Sequence, residues 1–267
     1  FRSEAVRAAR IVLATGASEN SLNFEGWTLP GVMGAGAAQT MINVWRVLPG
    51  KKVLMVGSGN VGLIVSYQLM QAGAEVVAVV EAAPQIGGYG VHAAKITRAG
   101  VPILTSHTVV KALGETEVTG AVIARVDESW NPVPGTEQEL KVDVICIAIG
   151  LRPYVRLAAL AGCKFVYSAV LGGWVPIHNA WMETTVRGIY VAGDVAGVEE
   201  ASTALEEGRL AGLAAAASLG KEDAQDRHER EEILERLAGL RMGPFGSPRQ
   251  QAKEEIFKAG EAACRGA

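Results

Sequence analysis

The chain is poor in cysteine and has no basic surplus, and both shortages exclude classes of function. Its 267 residues include three cysteines, Cys146, Cys163 and Cys264, with no Cys-x-x-Cys pair and no cluster of metal-ligand spacing. We therefore expect no metal site, no redox-active disulfide and no iron–sulfur cluster within this chain. The net charge of −3 supplies no basic field, so neither nucleic acid nor an anionic membrane is expected as a partner.

Long apolar runs are missing as well. No stretch approaches the length of a membrane span, and the N-terminus lacks the charged, apolar and small-residue sections of a signal peptide. The sequence therefore predicts a cytoplasmic protein. Hydrophobic residues make up 49% and charged residues 20%, as in ordinary globular proteins, whereas 32 glycines exceed the usual share and predict many turns.

The most informative segment covers residues 52–62, where an apolar run leads through a Gly-x-Gly-x-x-Gly turn into a helix-forming sequence. Gly57 permits the sharp turn, Gly59 lets the backbone approach a pyrophosphate, and Gly62 lets helix and strand pack closely. The first amides of that helix and its dipole then face the anion. The residues that complete this predicted dinucleotide site are Ser58, Asn60 and Val61.

The sequence beyond this turn agrees with a dinucleotide-binding unit. Residues 63–72 have helical apolar spacing, and a second strand over residues 76–80 ends at Glu81. Glu81 follows the glycines by roughly twenty residues, where a ribose-binding carboxylate is expected, and such a carboxylate favours NAD over NADP because it repels a 2′-phosphate. Two alternatives stay open: an ordinary glycine turn, and a solvated charge at the strand end for Glu81.

The remaining pattern predicts an α/β protein. The further expected strands cover residues 10–17, 101–104, 108–113, 121–126 and 142–149, and the further expected helices cover residues 37–47, 91–99, 201–219, 221–236 and 248–259. The strands at 108–113 and 121–126 form an antiparallel hairpin. The strand over residues 142–149 runs into Gly150, which is a further candidate for contact with the nucleotide.

A second candidate site follows another apolar strand. Asp194 lies at the carboxyl end of that strand, where ligands of open α/β sheets collect, and its carboxylate suits sugar or polyol hydroxyls. The helix predicted from Ala201 points amide donors at the same ligand. A role as a turn or N-cap residue is the alternative for Asp194.

Several of these motifs together resemble one flavoprotein family. Ala14-Thr15-Gly16, the glycine turn at residues 57–62, and Thr185 leading into Ala192-Gly193-Asp194 are similar in order and spacing to the pyridine nucleotide-disulfide oxidoreductase superfamily. The resemblance covers residues 11–219. Residues 199–209 resemble more narrowly the larger flavoprotein subunits of amine, sarcosine, opine and cyanide-forming oxidases or dehydrogenases.

The resemblance implies a Rossmann-like NAD-binding domain, with a central parallel sheet and an antiparallel β hairpin, inserted in an FAD-binding domain. It implies that Thr15, Gly16, Gly193 and Asp194 hold FAD, with Asp194 on the ribityl chain and the helix from Ala201 facing the isoalloxazine. The predicted segments are a partial FAD-binding domain (1–48), an NAD(P)-binding domain (49–150), a return FAD-binding segment (151–220) and a C-terminal helical tail (221–267).

The sequence departs from the family in two respects. It has no redox cysteine pair, so disulfide chemistry is not carried over. No glycine-rich turn for the FAD pyrophosphate precedes Ile11, which predicts a fragment, or a chain completed by another polypeptide, with weak or absent FAD binding. The tail is interpreted as a solvated helical hairpin, or else as an interface with a partner subunit in which Phe245 and Phe257 are anchors.

No catalytic side chain can be assembled, because no nucleophile has an adjacent base. Ser58 is expected to touch phosphate, and His178 is interpreted as a core histidine or as a neighbour of the flavin. Hydride chemistry belongs to the cofactors. The leading hypothesis is an oxidoreductase subunit that exchanges hydride between NAD(H) and FAD and serves, with a partner subunit, an amine or amino-acid dehydrogenase or oxidase. The alternatives are a nucleotide-stabilised scaffold subunit and a stand-alone NADH-dependent reductase of small acceptors.

Overall fold

The structure is a computed structural model that describes residues 4–265 and the side chains of residues 4–262. Its strands are β1 (Ile11–Leu13), β2 (Ala17–Glu19), β3 (Val32–Gly34), β4 (Lys52–Val56), β5 (Glu75–Glu81), β6 (Ile103–Thr105), β7 (His107–Leu113), β8 (Gly120–Arg125), β9 (Gln138–Leu140), β10 (Val144–Ile147), β11 (Leu151–Pro153), β12 (Phe165–Ser168), β13 (Gly173–Pro176) and β14 (Ile189–Val191). Its α-helices are α1 (Ala35–Thr40), α2 (Asn60–Gln71), α3 (Gly90–Arg98), α4 (Arg156–Leu160), α5 (Ala201–Ala217), α6 (Ala224–Leu240) and α7 (Gly243–Arg265).

The chain folds into two compact units. One contains the described residues up to Ser18 and from Leu151 onward, and the other contains Glu19–Gly150. The predicted boundary at residue 150 coincides with the end of the second unit. The predicted boundary after residue 48 does not coincide with a unit boundary, because β3 pairs with β10 inside the second unit. The predicted tail belongs to the first unit.

The unit formed by Glu19–Gly150 contains a five-stranded parallel sheet in the order β3-β10-β4-β5-β6. Parallel neighbours require crossover connections, and α2 connects β4 to β5 in this way. Strand β4 is buried from Val53 to Val56, as its continuous apolar run predicts for a sheet covered on both faces. The predicted antiparallel hairpin is present as β7 and β8, and β9 extends it to three strands.

Helix α2 packs on one face of this sheet. Its buried residues include Leu63, Val65 and Leu69, which join the core beneath β4 and β5. Each such side chain contributes roughly 1.5–3 kcal/mol when it leaves water, so this face carries much of the stability of the unit. The strand-to-helix junction at residues 57–59 is therefore held between two well-packed elements.

The other unit contains short two-stranded sheets and the long helices. Strands β1 and β14 form a parallel pair, and β12 and β13 form an antiparallel hairpin. Helix α5 buries Leu210 and Ala211 against β14, and α6 adds Ile233 and Leu237 to the same core. The predicted helix over 201–219 is thus present, two residues shorter.

The C-terminal tail differs from the prediction at its centre. The sequence predicts a turn at residues 242–246 and a helix from 248, whereas α7 begins at Gly243 and continues through Pro248. Gly246 is glycine because a β carbon there would lie 2.4 Å from the carbonyl carbon of Arg241. That carbon belongs to the connection between α6 and α7, where Gly243 has a φ of +80°, so a turn is present but is shorter than predicted and ends where α7 begins.

Within the described residues, no helix has the length and apolarity needed to cross a bilayer. The same part of the chain contains no group of three or more histidine, cysteine or carboxylate side chains arranged to hold a metal ion.

Candidate functional site

The glycine turn between β4 and α2 contains two glycines that the fold itself requires. Gly57 has a φ of +106°, and a β carbon there would lie 2.3 Å from the carbonyl oxygen of Ala148. A β carbon at Gly62 would lie 2.1 Å from the carbonyl oxygen of Gly57. Any larger residue at either position collides with backbone, which cannot move aside cheaply. Both glycines are therefore needed for the close packing of β4 against α2.

Gly59 is different from its two neighbours in the motif. It has an ordinary extended backbone, with φ −66° and ψ 174°, and a β carbon placed on it meets no described atom within 4 Å. Neither backbone conformation nor packing explains a glycine at this position. The open space lies at the start of α2, where the sequence predicts that a pyrophosphate approaches the backbone.

Helix α2 presents its N-terminus at this open space. Gly59 is the N-cap, and no side chain of the described residues caps the helix. The first helical hydrogen bond runs from the Leu63 amide to the Gly59 oxygen, at 3.0 Å. The amides of Val61 and Gly62 therefore lie in the first turn, where N–H groups have no partner within the helix. This turn and the helix dipole favour an anion.

Glu81 is not a solvated strand end, because its carboxylate bonds to the glycine turn. Its Oε2 accepts bonds from the Ser58 amide at 2.9 Å and the Ser58 hydroxyl at 2.7 Å, and its Oε1 accepts one from the Ala83 amide at 2.9 Å. Ser58 is fully buried. Both donors of Ser58 are used by Glu81, and the expected contact of Ser58 with phosphate stays a prediction. Each carboxylate oxygen accepts about two bonds, so Oε1 retains capacity for a ribose hydroxyl.

A segment that the sequence analysis did not assign to the site completes it. The Gly87 amide donates to the Ser58 hydroxyl at 3.1 Å, and the Tyr89 amide donates to Oδ1 of Asn60 at 2.9 Å. Gly88 packs directly on the turn, since a β carbon there would lie 2.9 Å from the Asn60 nitrogen. The glycine pair a few residues after Glu81 was the available signal for this contact.

Gly150 follows β10, the strand adjacent to β4 in the sheet. It has a φ of +110°, and its carbonyl oxygen accepts a bond from the Asn20 amide at 3.0 Å. Its predicted contact with the nucleotide stays a prediction.

The second candidate site lies in the other unit, at the carboxyl ends of β1 and β14. These strands are parallel and register Leu13 with Val191, and the Ala192 amide donates to the Leu13 oxygen at 3.0 Å. The pairing brings two predicted turns to one edge, Thr15-Gly16 after β1 and Gly193-Asp194 after β14. The Thr15 hydroxyl donates to the Tyr154 oxygen at 2.7 Å, and Gly16 has a φ of +69°.

Asp194 has acceptor capacity left at this edge. Burial raises the pKa of its carboxyl, the Glu199 amide opposes the rise in pKa, and the nearby carboxylates of Glu207 and Glu199 add to it. The one hydrogen bond to its carboxylate within the described residues is long, 3.5 Å from the Glu199 amide to Oδ1. Helix α5 starts at the exposed Ala201 without a side-chain cap. A half-buried carboxylate beside an uncapped helix terminus suits a polyhydroxy, partly anionic ligand.

A family model for pyridine nucleotide-disulphide oxidoreductases matches residues 2–208. The chain belongs to this family. Members of the family bind FAD and NAD(P). The first candidate site offers such a ligand the space at Gly59 before an uncapped helix and the acceptor of Glu81. The second offers the acceptor of Asp194. The mixed α/β fold expected from the resemblance is confirmed.

Two curated relatives are named as parts of larger enzymes. The chain is 29% identical to the hydrogen cyanide synthase subunit HcnB of Pseudomonas aeruginosa (strain PAO1), over 99% of the chain and 61% of that protein. It is 32% identical to an opine oxidase subunit of Agrobacterium tumefaciens (strain Ach5), over 80% of the chain and 44% of that protein. The chain thus spans about half the length of these relatives.

The fold is also that of solved oxidoreductase structures. The thioredoxin reductase of T. acidophilum superposes with a TM-score of 0.64 and 20% identity, over 79% of this chain and 66% of that one. This likeness shows the fold alone.

The disulphide in the family name has no counterpart among the described cysteines. Cys146 and Cys163 are buried and free. Burial, with a smaller contribution from the charge of Glu19, raises the pKa of the Cys146 thiol to about 12, so the reactive thiolate is scarce at neutral pH. The side chain of Cys264 lies outside the described residues.

His178 is a core residue and does not reach a ligand. It is fully buried, its Nδ1 lies 2.7 Å from the Pro176 oxygen, and its ring packs edge-on against Phe257 at 5.6 Å between centroids. The hypothesis that His178 approaches the flavin is therefore wrong. Phe257, proposed as an interface anchor, is used in this internal contact.

The burial of His178 predicts acid sensitivity. Desolvation, with the positive charges of Lys253 and Arg241, lowers the pKa of His178 from 6.5 to about 3. The unfolded chain therefore takes up this proton first, so the stabilisation is complete above pH 6.5 and declines as the pH falls toward 3, by up to about 1.4 kcal/mol per pH unit. Urea unfolding from pH 7 to pH 5 measures this slope. A His178→Leu variant should show a shallower slope, and equal slopes contradict the assignment.

Proposed function

We propose that this chain carries the nucleotide-binding and flavin-binding parts of an oxidoreductase subunit that exchanges hydride between NAD(H) and FAD. The observation that carries the proposal is the unused space at Gly59. A protein that bound nothing there would gain from a side chain at this position, because a glycine costs conformational entropy on folding. A pyrophosphate seated on the first turn of α2 accounts for the glycine.

The residues expected to hold the dinucleotide have distinct tasks. The amides of Val61 and Gly62 bind the diphosphate, and Gly59 leaves room for it. Glu81 receives a ribose hydroxyl on its remaining acceptor, held in place by its bonds to Ser58. Its negative charge disfavours a 2′-phosphate, so NAD(H) is the preferred nucleotide over NADP(H).

The residues expected to hold the flavin lie in the other unit. Thr15, Gly16 and Gly193 form the turns at the carboxyl edge of β1 and β14, and Asp194 accepts bonds from the ribityl hydroxyls. The first amides of α5, from Ala201, face the ring system. When bound, the nicotinamide and the flavin supply the hydride chemistry, and the side chains of this chain bind and orient them.

A partner protein completes the proposal. HcnB and the opine oxidase relative are both named as subunits of larger enzymes. By analogy we infer that this chain works beside a partner dehydrogenase or oxidase subunit that acts on an amine or amino acid. The names of these relatives alone support this inference.

An anaerobic titration tests the proposed exchange. The chain is mixed with excess FAD, freed of unbound flavin and titrated with NADH while the visible absorbance of the flavin is followed. The proposal expects the flavin to be bleached in proportion to added NADH. A chain that retains FAD and binds NADH but keeps its flavin oxidised contradicts the exchange and favours the scaffold hypothesis. A chain that loses FAD with the unbound flavin agrees with the weak binding expected of a partial FAD-binding domain, and the titration is then repeated in excess FAD. A chain that shows no change in flavin fluorescence at any FAD concentration contradicts the flavin assignment.

Flavin retention should depend on Asp194. An Asp194→Ala variant loses a charged acceptor, and hydrogen bonds to charged groups contribute roughly 1.5–3 kcal/mol, so the Kd for FAD should rise at least about tenfold. The Kd is measured by quenching of flavin fluorescence. The Asp194→Asn variant keeps one acceptor oxygen and should lie between wild type and Ala. Equal Kd values for all three proteins would remove Asp194 from the site.

A further inference from the structure

Four charged side chains are buried together where the two C-terminal helices pack on α5. Their side chains retain at most 5% exposure: Glu199 before α5, Glu207 within α5, Arg241 at the end of α6 and Lys253 within α7. Two carboxylates face two cations, so the cluster is balanced in charge. The sequence analysis interpreted this tail as a solvated hairpin, and these two buried cations correct that interpretation.

Glu207 is the residue through which the cluster meets the candidate flavin site. Its Oε1 accepts a bond of 2.6 Å from Lys253 and another of 2.6 Å from Arg241. Its Oε2 accepts a bond of 3.0 Å from the amide of Gly193. Oε1 of Glu207 thus bonds to the two cations of the tail, and Oε2 bonds to Gly193, the first residue of the turn that contains Asp194.

The tail also holds the other end of that turn. Lys253 Nζ donates to the carbonyl oxygen of Ala196 at 2.9 Å, and a short 3₁₀ turn spans Gly193–Ala196. Arg241 makes two further bonds, of 2.8 and 2.9 Å, to the carboxylate of Glu199. The amide of Glu199 in turn faces Asp194. The cluster thus bonds to Gly193, Ala196 and Glu199, which lie on both sides of Asp194 in the chain.

Stability alone is a weak explanation for such a cluster. Burying two ion pairs costs several kcal/mol of desolvation per ion, and well-packed apolar side chains often stabilise a core as well or better. What the cluster provides, and apolar packing does not, is directional bonds to a chosen amide and a chosen carbonyl. Gly193 does not hold the turn by itself, because glycine adopts its φ of +71° and many other conformations freely.

We propose that Arg241 and Lys253 of the C-terminal helices are positioning residues for the flavin-contacting turn Gly193–Ala196, acting through Glu207. The proposal rests on the proposed function, since it assumes that this turn contacts FAD. The two helices are then part of the flavin site rather than an appendage. Their contribution is to hold the Gly193 amide and the Asp194 carboxylate in a fixed geometry before the ligand binds.

Amide hydrogen exchange on the full chain tests the coupling without any ligand. A Lys253→Met variant leaves Glu207 buried with one cation, so exchange at residues 193–196 should accelerate on the order of a hundredfold. Lys258→Met is the matched control, because Lys258 is an exposed lysine of the same helix, and exchange there should stay as in wild type. Unchanged exchange in Lys253→Met, or equal acceleration in both variants, overturns the proposal.

Two variants of Arg241 distinguish a role in positioning the turn Gly193–Ala196 from a general loss of structure. Arg241→Met should accelerate exchange at residues 193–196, whereas Arg241→Lys keeps a cation for Glu207 but not the two bonds to Glu199, and should restore only part of the protection. NADH binding is an internal control, because Glu19–Gly150 forms its own compact unit, and its Kd should not change. If Arg241→Met leaves exchange at residues 193–196 unchanged, the positioning role of Arg241 is wrong. If Arg241→Lys protects these residues fully, charge alone holds the turn and the directional role is wrong.

The affinity for FAD tests whether the contact between the C-terminal helices and residues 193–196 matters for flavin binding. The Kd for FAD should rise roughly tenfold in Lys253→Met and stay as in wild type in Lys258→Met. If the wild-type chain binds no FAD while residues 193–196 still respond to Lys253, the proposed function fails and the coupling stands. If FAD binds with an unchanged Kd in Lys253→Met, the proposed function survives and the positioning role fails.

Discussion

A Gly59→Ala variant should fold as wild type does and bind NADH at least about tenfold more weakly, a loss of about 1.4 kcal/mol. The added methyl group meets no described atom within 4 Å, and the backbone of Gly59 is one that alanine adopts. Alanine is a poorer N-cap than glycine, but it also reduces the entropy of the unfolded chain, so stability should change by less than about 1 kcal/mol. Calorimetry with NADH and urea unfolding measure the two effects.

Gly62→Ala is the matched comparison within the same motif. Its β carbon would lie 2.1 Å from the Gly57 oxygen, so this variant should lose about 3 kcal/mol of stability. The two alanine variants thus separate a glycine kept for a ligand from one kept for the fold. If Gly59→Ala binds NADH with wild-type affinity, the space at Gly59 serves no nucleotide.

Replacing Glu81 should change both stability and nucleotide preference. Glu81→Ala leaves the amide and hydroxyl of the buried Ser58 unpaired, and each unsatisfied group costs about 1–3 kcal/mol, so Glu19–Gly150 should unfold at clearly lower urea. Glu81→Gln removes the charge but keeps an acceptor oxygen. It should shift the ratio of NADPH to NADH affinity toward NADPH on the order of tenfold.

The control for both Glu81 variants is Glu75→Gln. Glu75 begins the same strand and is exposed, and among the described residues its ion pair is with Lys52 across 3.3 Å. Stability and nucleotide preference should therefore stay as in wild type. Calorimetry with each nucleotide gives the ratio. An unchanged ratio in Glu81→Gln would leave Glu81 with a structural role in the turn and none in selecting the nucleotide.

The sequence predicts the parallel α/β core well because its signals are local. The buried run of β4, the glycine turn and the spacing of α2 lie within twenty consecutive residues and need no distant partner. The position of Glu81 follows from the same unit. Its bonds to Ser58 do not, because side-chain hydrogen bonds depend on how the turn closes in space.

Features that depend on distant contacts were the ones missed. Lys253 and Glu207 are 46 positions apart, and nothing in a charge-rich helical sequence distinguishes a buried lysine from a solvated one. The pairing of β3 with β10, more than a hundred positions later in the chain, is likewise a distant contact that no local signal indicates. Strand β9 is three residues long and has no apolar alternation.

The central claim is that the amides at the start of α2 bind the diphosphate of an adenine dinucleotide. A crystal structure of the chain soaked with NADH tests it most directly. The account predicts diphosphate density beside Gly59, within hydrogen-bond distance of the amides of Val61 and Gly62, and a ribose hydroxyl on Glu81. An empty crevice at Gly59 in crystals that hold NADH elsewhere, or no NADH at all at saturating concentration, contradicts it.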